Sequence, residues 1–448
     1  MTRPTSVPVL PDSDPAEPAG SVLRLGIADS LRLLGAVVAP TLAAGVLKRR
    51  PLLMRPTERL GLDRRAIMTM RRLRDRYGPV PVAPRLPGWS FVFPLSEVDV
   101  GHVLAGTPAP FTPATTEKRA ALRHFQPHAV LISQGVRRRE RREFNERVLR
   151  PEDAMHTLAP HVVHVVRDEM SRLDENLDWT AFNRRWWAAV RRIVLGEAAR
   201  DDEELTDLLA TLRAAGNWAY AHPRRRRERD RFLAEVAGYV RRAGPDSLAA
   251  VVAATAAAED VDPAGQLPHW LFAFDAAGMT TFRTLALLAR HPRQLQAVSD
   301  ELDGLDLARP QPLPYLRACV LDTVRLWPTT PALLRESTAD TGWGPKGTTE
   351  FVYKPFFHRD PALPFADHFV PHIWLDGTAE SHAALVPFSA GPGGCPGRNV
   401  VLLATSTALA AVLEHHDVDL RGRHAVGPDH RLPATLDNFT VRLHLTRR

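Results

Sequence analysis

A chain of 448 residues can form one large domain or two to three ordinary ones, and 44% hydrophobic with 24% charged residues is the balance of a globular protein that folds in water. The net charge of +7 is almost all arginine, since the lysines are Lys48, Lys118, Lys346 and Lys354, so a basic face can dock an acidic partner. The arginines are scattered and no nucleic-acid motif accompanies them, which argues against a nucleic-acid partner. The two cysteines, Cys319 and Cys395, exclude a disulfide framework and a four-thiolate iron–sulfur cluster.

Residues 1–20 are proline-rich without apolar periodicity and read as disordered. Leu33–Leu47 is apolar but interrupted by Gly35, Pro40 and Gly45, and Lys48-Arg49-Arg50 follows it. It falls short of the roughly 20 residues that span a bilayer, and its charges stand on the wrong side for a secretory signal. We therefore expect 21–66 to be a helical extension packed on the domain, in preference to peripheral membrane contact, and the protein to be cytoplasmic. Ile67–Tyr77 has helical periodicity and stops at Gly78-Pro79. Val80–Ala83 and Trp89–Phe93 read as strands around Leu86-Pro87-Gly88, and Ser96 as the cap of a helix through Leu104. Phe111–Gln126 shows no clear period. Gly135–Leu149 is a strongly basic helix; Ala159–Ala254 is almost all helical, with a break at Gly244-Pro245. The run Arg224–Arg227 reads as solvated surface.

Gln266–Pro292 predicts a long apolar helix in which Asp275 is the one acid, costly there unless hydrogen-bonded or used. In Tyr315–Pro331, Asp322 and Arg325 stand at i, i+3 and can meet on one helix. Phe388–Arg398 (FSAGPGGCPGR) is a tight Gly/Pro turn holding Cys395, with the apolar helix Val400–Leu413 directly behind it. Its glycines let the backbone bend sharply and approach something flat, and the helix start favours thiolate over thiol. A metal ligand and a core-facing cysteine are both compatible with that. Cys319, on an apolar helical face, reads as an inert core thiol. Phe439–Leu445 alternates as a strand.

Phe388, Gly391, Cys395 and Gly397 fall on F-x-x-G-x-[RH]-x-C-x-G, and the stretch resembles the cytochrome P-450 (haem-thiolate monooxygenase) family, of the soluble bacterial type. The resemblance runs in order from Ile67 to Arg448. It implies a mainly α fold with small β-sheets, in which haem b sits between an oxygen-activating helix and the cysteine helix. Cys395 would ligate the iron, with Phe388, Gly391, Gly394 and Gly397 shaping the loop. Gly393 replaces the family's propionate-binding Arg or His. The family's [WH]-x-x-x-R pair falls on Arg137 and Arg141, with Arg138, Arg139 and Arg142 read as solvated, and a further propionate arginine on Arg335. Counting back from Pro292 aligns Ala273-Phe274-Asp275-Ala276 with [AG]-x-[DE]-T, keeping the acid and replacing the threonine by Ala276. A rival register, Ala277–Thr281, has hydroxyls but no acid. Asp322 and Arg325 correspond to the family's E-x-x-R pair. Phe357–Trp374 resembles the family's meander, with Ile373 in place of its final arginine. Trp218, Tyr220, Phe272 and Thr330 fall where the family contacts substrate, Phe111–Gln126 where a loop covers it, and the turn near Asp437 where the chain re-enters the pocket.

The implied activity is oxygen-dependent oxidation of a small apolar substrate, with electrons from a ferredoxin or similar separate donor. Two alternatives follow from the altered positions. One is a peroxide-driven peroxygenase, suggested by Ala276; the other is a degenerate member acting as a non-catalytic partner protein.

Overall fold

Helices dominate the computed structural model, which describes residues 21–448 apart from Leu86, Trp89 and Arg423. The tail expected over 1–20 lies outside the described residues. Contacts divide the chain into two units. The first contains 21–116, 321–395 and 430–437; the second contains 117–320, 396–429 and 438–448.

In the first unit, Leu23–Arg24 pairs in parallel with Val82–Ala83. The apolar run expected from Leu33 begins earlier, as helix Ile27–Leu33, and continues through a π turn, Leu34–Val38, into Ala39–Ala43. Helices Pro51–Arg59 and Leu62–Tyr77 follow, the second entered at Gly61 and left at Gly78, both with positive φ. Leu33, Val37, Ile67, Met70 and Leu73 recur at helical spacing and share one core with Phe351, Tyr353, Phe356 and Phe357. Of the expected hairpin, Leu86 and Trp89 are outside the described residues, while Val82 and Phe93 form an antiparallel bridge. Ser96 caps helix Glu97–Ala105 by accepting from the Asp99 N–H at 3.1 Å. A four-stranded sheet has the order Phe91–Val92, Thr349–Tyr353, Ala332–Ser337, Phe111–Thr112.

The second unit is built on helices Gly135–Leu149, Ala159–Met170, Trp179–Leu195, Glu203–Gly216, Arg226–Arg241, Leu267–Leu288 and Arg398–His415. Gly244-Pro245 lies between Arg226–Arg241 and Leu248–Ala254, as a helix break requires. Ala264–Leu288 is long and apolar enough to cross a membrane, yet 78% of its apolar 18-residue window is buried in the protein, so its apolarity serves a core. Trp186 lies against it at Gly278, where a Cβ would stand 2.5 Å from the indole. The same indole donates to the Phe274 carbonyl at 2.7 Å. The strand expected from Phe439 starts at Arg442, because the Phe439 ring instead packs edge-on against Trp179 at 6.1 Å. It pairs with Asn176–Asp178 and His416–Arg421. The stretch Phe111–Gln126, read as aperiodic, contains strand Phe111–Thr112 and helix Thr116–Leu122.

Candidate active site

The cysteine loop is shaped by its backbone. Ser389 and Gly391 take positive φ, a 3-10 turn covers Gly391–Gly393, and the Cys395 N–H donates to the Phe388 carbonyl at 3.0 Å. Gly391 is glycine of necessity, since a Cβ there would stand 2.7 Å from the Leu104 carbonyl at the end of helix Glu97–Ala105. Cys395 is half-buried and outside any disulfide; Cys319 is fully buried. Phe388, Gly394 and Gly397 are half-buried around the turn.

Arg335 answers the question that Gly393 raises. A Cβ on Gly393 would lie 2.7 Å from Arg335 Nη2 and 3.0 Å from Thr107 Cγ2, so the guanidinium occupies the room a side chain at 393 would need. Arg335 is 3% exposed and donates to Thr107 Oγ1 at 2.9 Å, the Leu334 carbonyl at 3.0 Å and Ser389 Oγ at 3.3 Å, all neutral groups. Its cross-strand neighbour is Glu350, whose carboxyl accepts from Ser337 Oγ at 2.6 Å. Burial, reinforced by Glu336, pushes Glu350 up to about 8, against the opposing effects of Ser337 and Arg335.

Asp322 and Arg325 are both fully buried. Arg325 Nε donates to Asp322 Oδ1 at 2.5 Å and Nη2 to Oδ2 at 3.1 Å, and the remaining donors reach the His358, Ala366 and His368 carbonyls. Asp322 also accepts from the Val370 N–H at 2.7 Å and from Trp374 Nε1 at 3.2 Å. With Ile373 in a small apolar core, the neighbouring indole and backbone satisfy the carboxylate that an arginine serves in the family pattern. Arg359 adds bonds to Asp367 and to the Leu326, Leu432 and Pro433 carbonyls.

On helix Leu267–Leu288, His269, Phe272, Ala273, Asp275 and Ala276 are half-buried. The spacing of 269, 272, 273 and 276 puts them on one face. Thr280 and Thr281 of the rival register are buried, and their hydroxyls donate to the Ala276 and Ala277 carbonyls of their own helix. Asp275 Oδ2 accepts from Arg213 Nη2 at 2.5 Å, and the same guanidinium lies 4.9 Å over the Phe272 ring. Phe272 also meets Phe125 edge-on at 5.7 Å and His269 at 5.9 Å. Burial, with Lys118 adding to it, lowers His269 to about 4, so its ring is neutral.

On the basic helix the structure rearranges the expectation. Arg137 is two-thirds exposed and pairs with Asp260 at 3.2 Å, a position that does not fit neutralisation of a buried group. Arg141 is buried, but its fork is taken up by Ser133 Oγ at 2.8 Å and the Asp260 carbonyl at 3.1 and 3.3 Å. Arg138, read as solvated, is 7% exposed, and among the described residues no hydrogen bond or ion pair is made by its side chain. Burial, with Arg142 nearby, lowers it to about 10. A buried cation without a bonded partner is a place for an anion. Arg139 is exposed and Arg142 pairs with Glu146, as a solvated face requires. Of the substrate-contact candidates, Trp218, Tyr220 and Thr330 are exposed, and only Phe272 stands beside Asp275.

Sequence reasoning missed Arg138, Arg213 and Trp374. For Arg213 a signal existed: it recurs with Leu205, Leu209 and Leu212 on the buried side of its helix, where an arginine needs a partner. Trp374 had none.

A half-buried thiol on a turn opened by glycines, with the buried Arg335 guanidinium packed against Gly393 of that turn, fits a flat macrocycle that carries a carboxylate. Residues 273–436 match the cytochrome P450 family model. Among curated relatives, cytochrome P450 4c3 of Drosophila melanogaster is 31% identical over 152 residues, which are 30% of this chain and 28% of that one. The bifunctional cytochrome P450/NADPH–P450 reductase 2 of Bacillus subtilis (strain 168) is 30% identical over 155 residues, 32% of this chain and 15% of that one. Probable cytochrome P450 313a1 of Drosophila melanogaster matches over 33% of its length, so the similarity spans about a third or less of these relatives. Among solved structures, a retinoic-acid-bound cyanobacterial CYP120A1 superposes with a TM-score of 0.68 at 20% identity, over 84% of this chain and 94% of that one. The cytochrome P450 CYP102L1 gives 0.71 at 17%, over 96% and 100%. The family match thus spans residues 273–436, and the fold of the described chain is that of these cytochrome P450 structures.

Proposed function

We propose that the protein is a cytochrome P450 monooxygenase that oxidises a small apolar substrate in the cytoplasm, using electrons from a separate donor such as a ferredoxin. The observation that carries this reading is the Cys395 turn, whose glycine backbone at Gly393 packs against the Arg335 guanidinium. Bound haem supplies the dioxygen and one-electron chemistry that side chains lack. Cys395 would hold the iron as thiolate, and Arg335 would hold a propionate in place of a side chain at Gly393.

The remaining work falls to the half-buried face of helix Leu267–Leu288. Phe272, Ala273 and Ala276 offer an apolar surface to the substrate. Ala276 has no hydroxyl to pass a proton, so a water or a substrate hydroxyl beside its methyl takes that part, with Asp275 at the head of the relay. Arg213 orients the Asp275 carboxylate through their hydrogen bond. A peroxide-driven reaction is the second reading, favoured by that same ion pair, because peroxide brings its own protons and leaves Asp275 idle.

The deciding measurement is the absorption spectrum of the reduced, carbon-monoxide-treated protein. The wild type is expected to give the red-shifted thiolate signature and Cys395→Ser to lose it. Wild-type protein that takes up no haem would end the enzyme reading. Asp275→Asn then separates the oxidants: turnover with oxygen and an electron donor should fall far more than turnover with peroxide.

A further inference from the structure

We infer that His269 reads a hydrogen-bond donor on the substrate, a hydroxyl or N–H on an otherwise apolar molecule, a role that rests on the monooxygenase reading. The first observation is the tautomer of the ring. His269 Nδ1 stands 3.1 Å from Gln126 Oε1, and an amide oxygen can only accept, so Nδ1 carries the proton. Burial, with Lys118 adding to it, lowers the ring to about 4, so it is neutral and has one N–H to give. Nε2 is therefore left as a lone-pair acceptor. Among the described residues it makes no hydrogen bond.

The second observation is what holds the ring. Gln126 is fully buried, and its Nε2 has no hydrogen-bond partner. A glutamine kept for stability alone would not leave half of a sealed amide unsatisfied; here the satisfied half is spent on His269. Phe125, beside Gln126 in the chain, meets Phe272 edge-on at 5.7 Å, and Phe272 meets the His269 ring edge-on at 5.9 Å. Amide and aromatic contacts together fix where Nε2 stands. His269 itself is half-buried, on the face of helix Leu267–Leu288 that it shares with Phe272, Ala273 and Ala276. It is the polar group of that face.

Position and charge narrow the substrate class. Residues 269 and 276 are two helical turns apart, so the donor would lie roughly 10 Å along the helix from the carbon oxidised beside Ala276. An unprotonated ring nitrogen repels the lone pairs of a carbonyl, an ether or a carboxylate and accepts from O–H or N–H. The cation nearest this face, Arg213, is committed to Asp275, so an anionic head group does not find it free. A neutral alcohol or amide with a long apolar body fits all three conditions.

The test is calorimetric titration of the full-length, haem-loaded protein, once it has shown the thiolate signature, with decanol, decanal, methyl decyl ether and decanoate. Decanol is expected to bind on the order of tenfold more tightly than the other three, the worth of one hydrogen bond. His269→Phe should bring decanol, decanal and the ether to within about twofold of one another. Gln126→Leu should weaken decanol and leave decanal unchanged, a split that a general loss of structure does not produce. Equal binding of decanol and the ether by the wild type overturns the inference, as does a preference that survives in His269→Phe. Tighter binding of decanal would show the Gln126 amide turned with its Nε2 toward the ring, and decanoate binding as tightly as decanol would make Lys118 the reader; either result overturns it as well. The monooxygenase reading stands or falls separately, on the carbon-monoxide spectrum.

Discussion

Arg213 Nη2 stands 2.5 Å from Asp275 Oδ2, joining helix Glu203–Gly216 to the helix that carries the candidate proton relay. Arg213 is 3% exposed along its side chain and Asp275 15%, so each is the condition of the other's burial. Breaking such a pair from one side costs about 3–5 kcal/mol, much of it the penalty of the charge left behind. Arg213→Ala and Asp275→Asn should each lower the unfolding free energy, and the double variant should recover part of the loss. Strict additivity in urea unfolding would show that the two are not coupled.

The second expectation separates Arg335 from Arg141. Arg335→Ala should weaken haem retention through loss of a charge-assisted bond worth roughly 1.5–3 kcal/mol. Arg141→Ala should act on stability, because its bonds go to Ser133 and Asp260. Haem transfer to apomyoglobin reads the first effect and thermal unfolding the second. Faster haem loss in Arg141→Ala than in Arg335→Ala would reverse the assignment.

Trp374 and Asp322 make the third. Trp374→Phe removes the indole donor from a fully buried carboxylate and should cost about 1–3 kcal/mol. Ile373→Arg, which restores the family's residue, should destabilise rather than help: position 373 is 4% exposed in an apolar cluster and Asp322 already has its donors. Stabilisation by Ile373→Arg would mean that the indole is a poor substitute.

Glu350 gives a pH dependence of definite sign. Its carboxyl is held up to about 8 by burial, above the unfolded value near 4.5. Between those values the folded state holds a proton that the unfolded state has released. Its contribution is therefore complete below about pH 4.5 and lost as pH rises, at roughly 1.4 kcal/mol per pH unit, until about pH 8. Glu350→Gln should flatten the melting profile across that window and stabilise most at its alkaline end. An unchanged slope would place the ionisation elsewhere.

Ala276 supplies the last. Thr280 and Thr281 spend their hydroxyls on carbonyls within their own helix, so Thr280→Ala should leave turnover nearly unchanged. Ala276→Thr, on the half-buried face, should change the coupling of electron use to product. A damaging Thr280→Ala would restore the rival register.

Local chemistry determined a good deal from the sequence. The caps at Ser96 and Gly78, the break at Gly244-Pro245, the long helix with one acid and the glycine turn before an apolar helix depend on neighbours a few residues apart. So does the i, i+3 pairing of Asp322 with Arg325. The motif spacing of Phe388, Gly391, Cys395 and Gly397 carried the family resemblance for the same reason. Tertiary structure alone decided which arginine of GVRRRERREF is left without a bonded partner. One residue along a helix turns a side chain by about 100 degrees, and only the packed neighbours say whether it meets water, Asp260 or nothing. It also decided how the missing polar residues are replaced. Trp374, Arg335 and Arg213 come from positions 52, 58 and 62 residues away from Asp322, Gly393 and Asp275, and no local pattern encodes a contact closed over that distance.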